Sequence, residues 1–261
     1  MSFPGSKMQI EQLTFPDNSF SLSGTHVLLC NLSSLCFSVP PDWLSEWELN
    51  RLQAITEPKQ SQFYLSSRGV FRALLGHSLG QSAGELQFVV QQHGKLSLAN
   101  HNLQFNISHS QNWLAVVTSP YPVGIDIECY SQASRKRSWL ALGKRFFTAG
   151  EYQYLSSLSD PDLRDKFTRL WTQKEAVLKA HGDGLNAGLD KLDLLSQQHC
   201  LDTQTYRLEY CAPQPELQCA VGIQTTDSVI VDYYYILNER LEIQPVQPPY
   251  ISHLTLRPDS L

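Results

Sequence analysis

Between Val123 and Cys129 the chain reads Gly124-Ile125-Asp126-Ile127-Glu128. In an extended strand successive side chains alternate faces, so Asp126 and Glu128 share one face while Ile125 and Ile127 take the other. Two carboxylates about 7 Å apart along the backbone repel each other unless a cation lies between them. Hard oxygen ligands of this kind suit Mg²⁺, which binds one or two carboxylates together with substrate phosphates. The plain alternative is a solvent-facing strand edge. Further along, Leu170-Trp171-Thr172-Gln173-Lys174-Glu175-Ala176-Val177-Leu178-Lys179 has helical periodicity. Phe167, Leu170, Trp171 and Leu178 form its apolar stripe, and Lys174 falls in the middle of it, where a lysine either snorkels out or meets an anion. Glu175 and Lys179 lie at i and i+4 on the flank, where an ordinary helix ion pair is worth about 0.3–0.5 kcal/mol.

Upstream, Asn106-Ile107-Ser108-His109-Ser110 closes an alternating segment, and its hydroxyls, imidazole and backbone amides could hold a phosphate. A Ser–His nucleophile is another reading, but no G-x-S-x-G elbow accompanies it. A hydrogen-bonded turn is the third. Lys59, Arg68, Arg72 and Lys95 are further candidate anion ligands, although each taken alone reads first as a solvated surface charge. Cys129 has no visible activator beside it and reads as structural.

The elements that must position these residues follow from pattern. Residues 1–25 look irregular, and Val27–Cys30 reads as a short buried strand. Pro40-Pro41-Asp42 offers a helix start with Asp42 as the cap. A second helix is expected from Ser61 to Leu79, with Gly80 as its stop. Strands are expected at 86–90, 103–108, 113–118 and 123–128, with a turn at His93-Gly94-Lys95. Helices follow at 150–158 and 162–180, then strands across 203–237. The prolines from Pro245 onward suggest an extended tail. Phe63-Tyr64-Leu65-Ser66-Ser67-Arg68 and Phe167-Thr168-Arg169-Leu170-Trp171 both open a helix that carries bases and precedes a glycine turn and strands. This weak echo hints at two similar halves, 1–120 and 121–261, the second ending in the Pro-rich tail 244–261.

Composition narrows the class. A chain of 261 residues with 42% hydrophobic residues can bury a large core without disulfides. The formal net charge of -5 argues against nucleic acid as a general partner, so any anion site is local. The six cysteines form no C-x-x-C pair and no zinc-finger spacing. Neither a secretory h-region nor an apolar run of membrane-spanning length is visible. The expectation is a reduced, soluble, cytoplasmic protein that does not engage membranes.

Taken together, Phe105–Ser110, Val123–Glu128, Arg145-Phe146-Phe147-Thr148 with Glu151, and Leu170-Trp171-Thr172 with Lys174-Glu175-Ala176 and Lys179 occur in an order and spacing that resembles a 4′-phosphopantetheinyl transferase of the Sfp type. The match is dense over about 93–190. The resemblance implies an α+β fold of two similar halves in a pseudo-twofold arrangement, with coenzyme A in the cleft between them, and a monomer. It implies transfer of the phosphopantetheine arm of coenzyme A to a serine of an apo acyl or peptidyl carrier protein, a holo-acyl-carrier-protein synthase activity, with Mg²⁺ (or Mn²⁺) as cofactor and adenosine 3′,5′-bisphosphate released.

Site roles follow from the resemblance alone. Asp126 and Glu128 match the strand carboxylates that bind the metal, and Glu175 matches the helix carboxylate that completes that site or serves as base. Lys179 matches a lysine near the transferred phosphate, and Glu151 a further acid near the substrate serine. Ser108 and His109 match contacts to the nucleotide phosphates. Asp126 and Lys174 are counted with the coenzyme A contacts. Lys95 matches the lysine of a G-K-P element, although Leu96 stands where proline is usual. Lys59 and Arg68 match the bases that grip the 3′-phosphate. A lysine expected just before Lys59 is missing, since Thr56 and Glu57 occupy that region, so the grip is weaker or another base substitutes. A carboxylate held close to Mg²⁺ is a weak base, which favours a metal-held water or Glu151 sharing the proton transfer. The bases Arg135, Lys136, Arg137, Lys144 and Arg145 suggest a docking patch for an acidic carrier. Two rivals stand beside this reading. One is a metal-dependent nuclease, which would want a nearby E-x-K and a basic groove. The other is a coenzyme A or carrier-binding protein with a decayed site, against which the intact carboxylates argue.

Overall fold

The computed structural model describes residues 8–9, 24–35, 37–129, 139–184, 188–236 and 243–245. In chain order these form β1 (Met8–Gln9), β2 (Thr25–Asn31), β3 (Phe37–Ser38), α1 (Glu46–Ala54), α2 (Pro58–Leu79), β4 (Phe88–Val90), β5 (Leu96–Leu98), β6 (Gln104–Ser110), β7 (Trp113–Ser119), β8 (Val123–Cys129), α3 (Trp139–Phe146), α4 (Ala149–Ser156), α5 (Asp160–His181), β9 (His199–Leu201), β10 (Gln204–Gln214), β11 (Leu217–Gln224), β12 (Val231–Ile236) and β13 (Ile243–Pro245). The class is α+β, as the resemblance implies. The Pro-rich tail beyond Pro245 and the bases Arg135, Lys136 and Arg137 lie outside the described residues.

Local chemistry sets the helix ends. Asp42 lies in a 3-10 turn, and the cap of α1 falls instead to Ser45, which forms a capping box with Glu48. Glu57 caps α2 by accepting the Lys59 and Gln60 amides at 3.1 and 2.6 Å, with Pro58 at the first helical position. Both 22-residue helices, α2 and α5, stop at a left-handed glycine: Gly80 (φ 64°) and Gly182 (φ 99°).

Two sheets carry the fold. The five-stranded sheet has the order β13-β12-β2-β7-β6, and the four-stranded sheet the order β8-β11-β10-β9. Strand β12 runs parallel to β2, so residues from the second half of the chain complete a sheet begun by the first. Alternation sorts the side chains. Leu28, Cys30, Leu114 and Val116 face α2, packing on Val70, Phe71, Leu74 and Leu75. Val27, Leu29, Ala115 and Val117 point the other way, onto Ile125, Ile127, Cys219 and Val221 of the second sheet. The layers therefore run α2, five-stranded sheet, four-stranded sheet, α5.

The outer face of the second sheet is nearly smooth where α5 crosses it. A Cβ added to Gly124 would lie 2.2 Å from the Ala176 carbonyl oxygen and 2.3 Å from the Ala180 nitrogen; one added to Gly222 would lie 3.0 Å from Ala176 backbone. Only glycine permits this approach of helix to strand.

A buried ion pair anchors the other flank of α5. Lys174 and Glu151, each fully buried, meet at 2.7 Å. Lys174 Nζ also donates to the Leu189 carbonyl at 2.7 Å and to the Leu192 carbonyl. Burial pushes the Lys174 ammonium down and Glu151 pushes it back up. Glu151 closes the capping box of α4 with Thr148 and accepts the Leu194 amide at 2.9 Å. Two expectations are corrected here. Lys174 does meet an anion, but that anion is Glu151 and not a coenzyme A phosphate, and Glu151 does not face a substrate serine, because the two side chains satisfy each other and the 189–194 loop inside the core.

Gly124→Ala is expected to cost about 3 kcal/mol or more, since the intruding methyl meets backbone, and to lower Tm by about 10 °C. Gly150→Ala, whose Cβ meets nothing nearer than Leu195 Cδ1 at 3.9 Å, is expected to melt like the wild type. Equal melts for both variants would refute the close-approach account. Lys174→Met, which strands a buried carboxylate, is expected to cost about 3–5 kcal/mol in urea unfolding. The Glu151→Gln/Lys174→Met pair is expected to recover part of that loss.

Candidate active site at the seam of the two sheets

Strand β6 ends one sheet and β8 ends the other, and the two edges meet through side chains. The residues of β6 that face β8 are Asn106, Ser108 and Ser110. Asn106 Oδ1 accepts the Ile125 amide at 3.0 Å, Ser108 Oγ donates to Asp126 Oδ1 at 2.9 Å, and Ser110 Oγ donates to Glu128 Oε2 at 3.3 Å. Lys179, brought down by the crossing of α5 over Gly124, donates to Asp126 Oδ1 at 2.7 Å and to Ser108 Oγ at 2.9 Å. Asp126 Oδ2 is buried without a hydrogen-bond partner among the described residues.

Glu175 stands beside this group. Burial, then the charge of Asp126, push its carboxyl up to about 7, with Glu128 adding to the shift and Lys179 opposing it. Three carboxylates thus converge with one lysine among them, an excess of negative charge that a divalent cation would relieve. The donor type, the orphaned Asp126 oxygen and the raised Glu175 carboxyl fit a hard cation such as Mg²⁺. Among the described residues no three ligating side chains close into a compact metal cluster, so water and substrate oxygens would supply the remaining ligands.

A basic pocket of about 870 Å³ adjoins the seam on the α2 side. Arg51, Lys59, Tyr64, Arg68, His109 and Gln111 line it. His109 links the two regions: its ring meets Phe63 edge-on at 5.4 Å, and burial, then the charges of Lys179 and Arg68, hold its pKa below the usual imidazole value. The Arg68 guanidinium lies 5.3 Å from the Tyr64 ring centre and 5.8 Å from that of Trp47, with a long contact to Glu48 at 3.9 Å. Its Nη1 is buried without a well-formed hydrogen bond. Such an arginine has a donor left over for an anion such as a phosphate.

The seam and pocket bring together Asp126, Glu128, Glu175, Lys179, Ser108, His109, Lys59 and Arg68. Lys95 is placed elsewhere. Its ammonium donates to the Ala180 carbonyl at 2.9 Å and to the Val123 carbonyl at 3.5 Å, and burial lowers its pKa to about 8. It ties the end of α5 to the start of β8. Arg72, read as a possible anion ligand, is buried and bonded to Glu48 and to the Ala83 and Leu86 carbonyls. Arg51 was not singled out in the sequence, because a lone arginine eight residues before Lys59 on a separate helix carries no local signal.

Comparison with known proteins identifies the family. A family model of the 4′-phosphopantetheinyl transferase superfamily matches residues 122–232. The 4′-phosphopantetheinyl transferase HetI of Nostoc sp. is 39% identical over 156 residues, covering 58% of this chain and 64% of that protein. Sfp of Bacillus subtilis is 31% identical over 169 residues, covering 59% and 73% respectively. AcpT of Escherichia coli O157:H7 is 30% identical over 164 residues, covering 60% and 80%. The chain thus spans less than two thirds of the Nostoc relative and more of the other two. It belongs to the 4′-phosphopantetheinyl transferase superfamily.

Proposed function

We propose that the chain transfers the 4′-phosphopantetheine arm of coenzyme A to a serine of an apo acyl or peptidyl carrier protein, a holo-carrier-protein synthase reaction that depends on Mg²⁺ or Mn²⁺. The observation that carries this reading is the adjacency of a cationic pocket of about 870 Å³, roomy enough for a nucleotide, to the Asp126–Ser108–Lys179 cluster with Glu175 beside it. The carrier hydroxyl oxygen bonds to the phosphorus that bears the pantetheine arm. The bond from that phosphorus to the adenylate side breaks, and adenosine 3′,5′-bisphosphate leaves. A bound Mg²⁺ would stabilise the charge that develops on the pyrophosphate oxygens. Carboxylates among Asp126, Glu128 and Glu175 would hold it, with water and substrate oxygens as the remaining ligands.

The chain's own groups do the rest. Lys179, fixed by Asp126 and Ser108, faces the transferred phosphate and stabilises the departing charge. Glu175, with a carboxyl near 7 before any cation binds, sits close to the range where a general base is effective at neutral pH, though a bound cation would lower it. With Glu151 sealed in the core, proton removal falls to Glu175 or to a water that it holds. His109, Arg68, Lys59 and Arg51 grip the nucleotide end, with Arg51 standing in for the lysine missing before Lys59. The last turn of α3 carries Lys144 and Arg145 beside the sequence of Arg135, Lys136 and Arg137, a basic segment suited to an acidic carrier. We read the protein as a cytoplasmic monomer without nucleic-acid or membrane partners; among the described residues no helix is long and apolar enough to cross a membrane.

Intact-mass measurement of apo acyl and peptidyl carriers, incubated with the protein, coenzyme A and Mg²⁺, is expected to show the gain of one phosphopantetheine. The gain is expected to vanish with EDTA and to fall at least about a hundredfold in rate for Glu175→Ala, the scale of a lost general base. No gain on any carrier despite coenzyme A binding would refute the transferase reading. Arg51→Ala is expected to raise KM for coenzyme A about tenfold, the loss of one charge-assisted hydrogen bond, while leaving KM for dephospho-coenzyme A unchanged. Equal effects on both substrates would remove Arg51 from the 3′-phosphate grip.

A further inference from the structure

The turn that joins β6 to β7 grips the end of β8. Ser110 Oγ accepts the Cys129 amide at 2.9 Å, and Gln111 Nε2 donates to the Cys129 carbonyl at 3.2 Å. Gln111 adopts a positive φ of 52° to make this turn, a conformation that a non-glycine residue takes at some cost. Two consecutive side chains of one turn therefore satisfy both backbone groups of the residue that follows Glu128. The edge of β8 gains through side chains what a neighbouring strand would otherwise supply.

This grip fixes the polarity of the Ser110 hydroxyl. One lone pair is taken by the Cys129 amide, so its proton is turned to Glu128 Oε2 at 3.3 Å. The arrangement repeats, one strand step along, what Ser108 does for Asp126. Ser108 also contacts Lys179, whereas among the described residues the Ser110 hydroxyl bonds only to Glu128 and the Cys129 amide.

We infer that Ser110 is a positioning residue for Glu128. It holds the carboxylate on the Asp126 side of β8 and presents it to a divalent cation. The inference rests on the metal reading of the seam proposed above. Residues that orient a ligand from behind commonly contribute about 10–100-fold to metal affinity. The 3.3 Å separation places Ser110 at the lower end of that range.

The test uses the full chain, Mn²⁺ as the probe, and the free-Mn²⁺ electron paramagnetic resonance signal as the readout, with coenzyme A present. Ser110→Ala is expected to raise the Mn²⁺ Kd about tenfold, and Ser110→Thr, which keeps the hydroxyl, to return it to within about twofold of the wild type. With saturating metal, kcat and the carrier KM of Ser110→Ala are expected to match the wild type. If Ser110→Ala binds Mn²⁺ as the wild type does while Asp126→Asn does not bind, the metal site stands and the positioning role is overturned. If the wild type itself takes up no Mn²⁺, the metal reading falls and the role of Ser110 falls with it. Should Ser110→Ala fail to give a cooperative melt, Ser110→Cys, with its weaker donor, carries the test: weakened binding supports the role and unchanged binding overturns it.

Discussion

Two glycines that face a helix govern this molecule. Where α5 crosses the second sheet, Gly124 and Gly222 leave no side chain between strand and helix, and the Ala176 carbonyl occupies the space a Cβ would need. A helix packed on ordinary side chains stands about 10 Å from a sheet; one that touches backbone stands closer. That difference decides whether a lysine one turn beyond Ala176 can reach a strand carboxylate. Lys179 reaches Asp126 at 2.7 Å because the helix is this near. The buried Lys174–Glu151 pair then fixes the helix from its far side and stops it from rolling. Adjacent residues of α5 thus serve opposite ends: Lys174 turns inward to hold the scaffold and Glu175 turns to the seam.

The seam concentrates negative charge on purpose-built supports. Asn106, Ser108 and Ser110 sit at alternate positions of one strand, so a single face of β6 serves Ile125, Asp126 and Glu128 in turn. The supports are neutral and short, which keeps their own entropy cost small. Opposite them, cations are gathered on α1 and α2, behind His109. The charge pattern runs along β6 from the basic pocket lined by His109 to the acidic seam at Ser108 and Ser110.

Much of this was legible in the sequence, for stated reasons. Alternation in Val123–Glu128 assigned the two acids to one face, and the i, i+4 relation of Glu175 and Lys179 placed them on one helix flank; both hold in the fold. The helix stops at Gly80 was legible because a left-handed residue leaves a glycine signature. Lys174 and Glu151 misled because a buried pair separated by over twenty residues looks, one residue at a time, like two functional charges. Arg51 was invisible because its partners in the pocket come from other elements. The cap of α1 moved from Asp42 to Ser45 because the prolines at 40 and 41 favour a 3-10 turn that delays the helix.

The parallel pairing of β12 with β2 has a consequence for how the chain acquires its shape. Val231 pairs with Thr25, roughly two hundred residues away along the chain. As the polypeptide emerges from the ribosome, β2, β7 and β6 can form a three-stranded sheet with α2, but one edge of that sheet stays open until β12 is made. Strand β2, with its run of Val27, Leu28, Leu29 and Cys30, offers that unpaired edge to the surrounding solution until β12 pairs with it. Pairing at such a sequence distance is slow to close. Until β12 is added, that open edge is the part of the sheet most exposed to pairing with another chain.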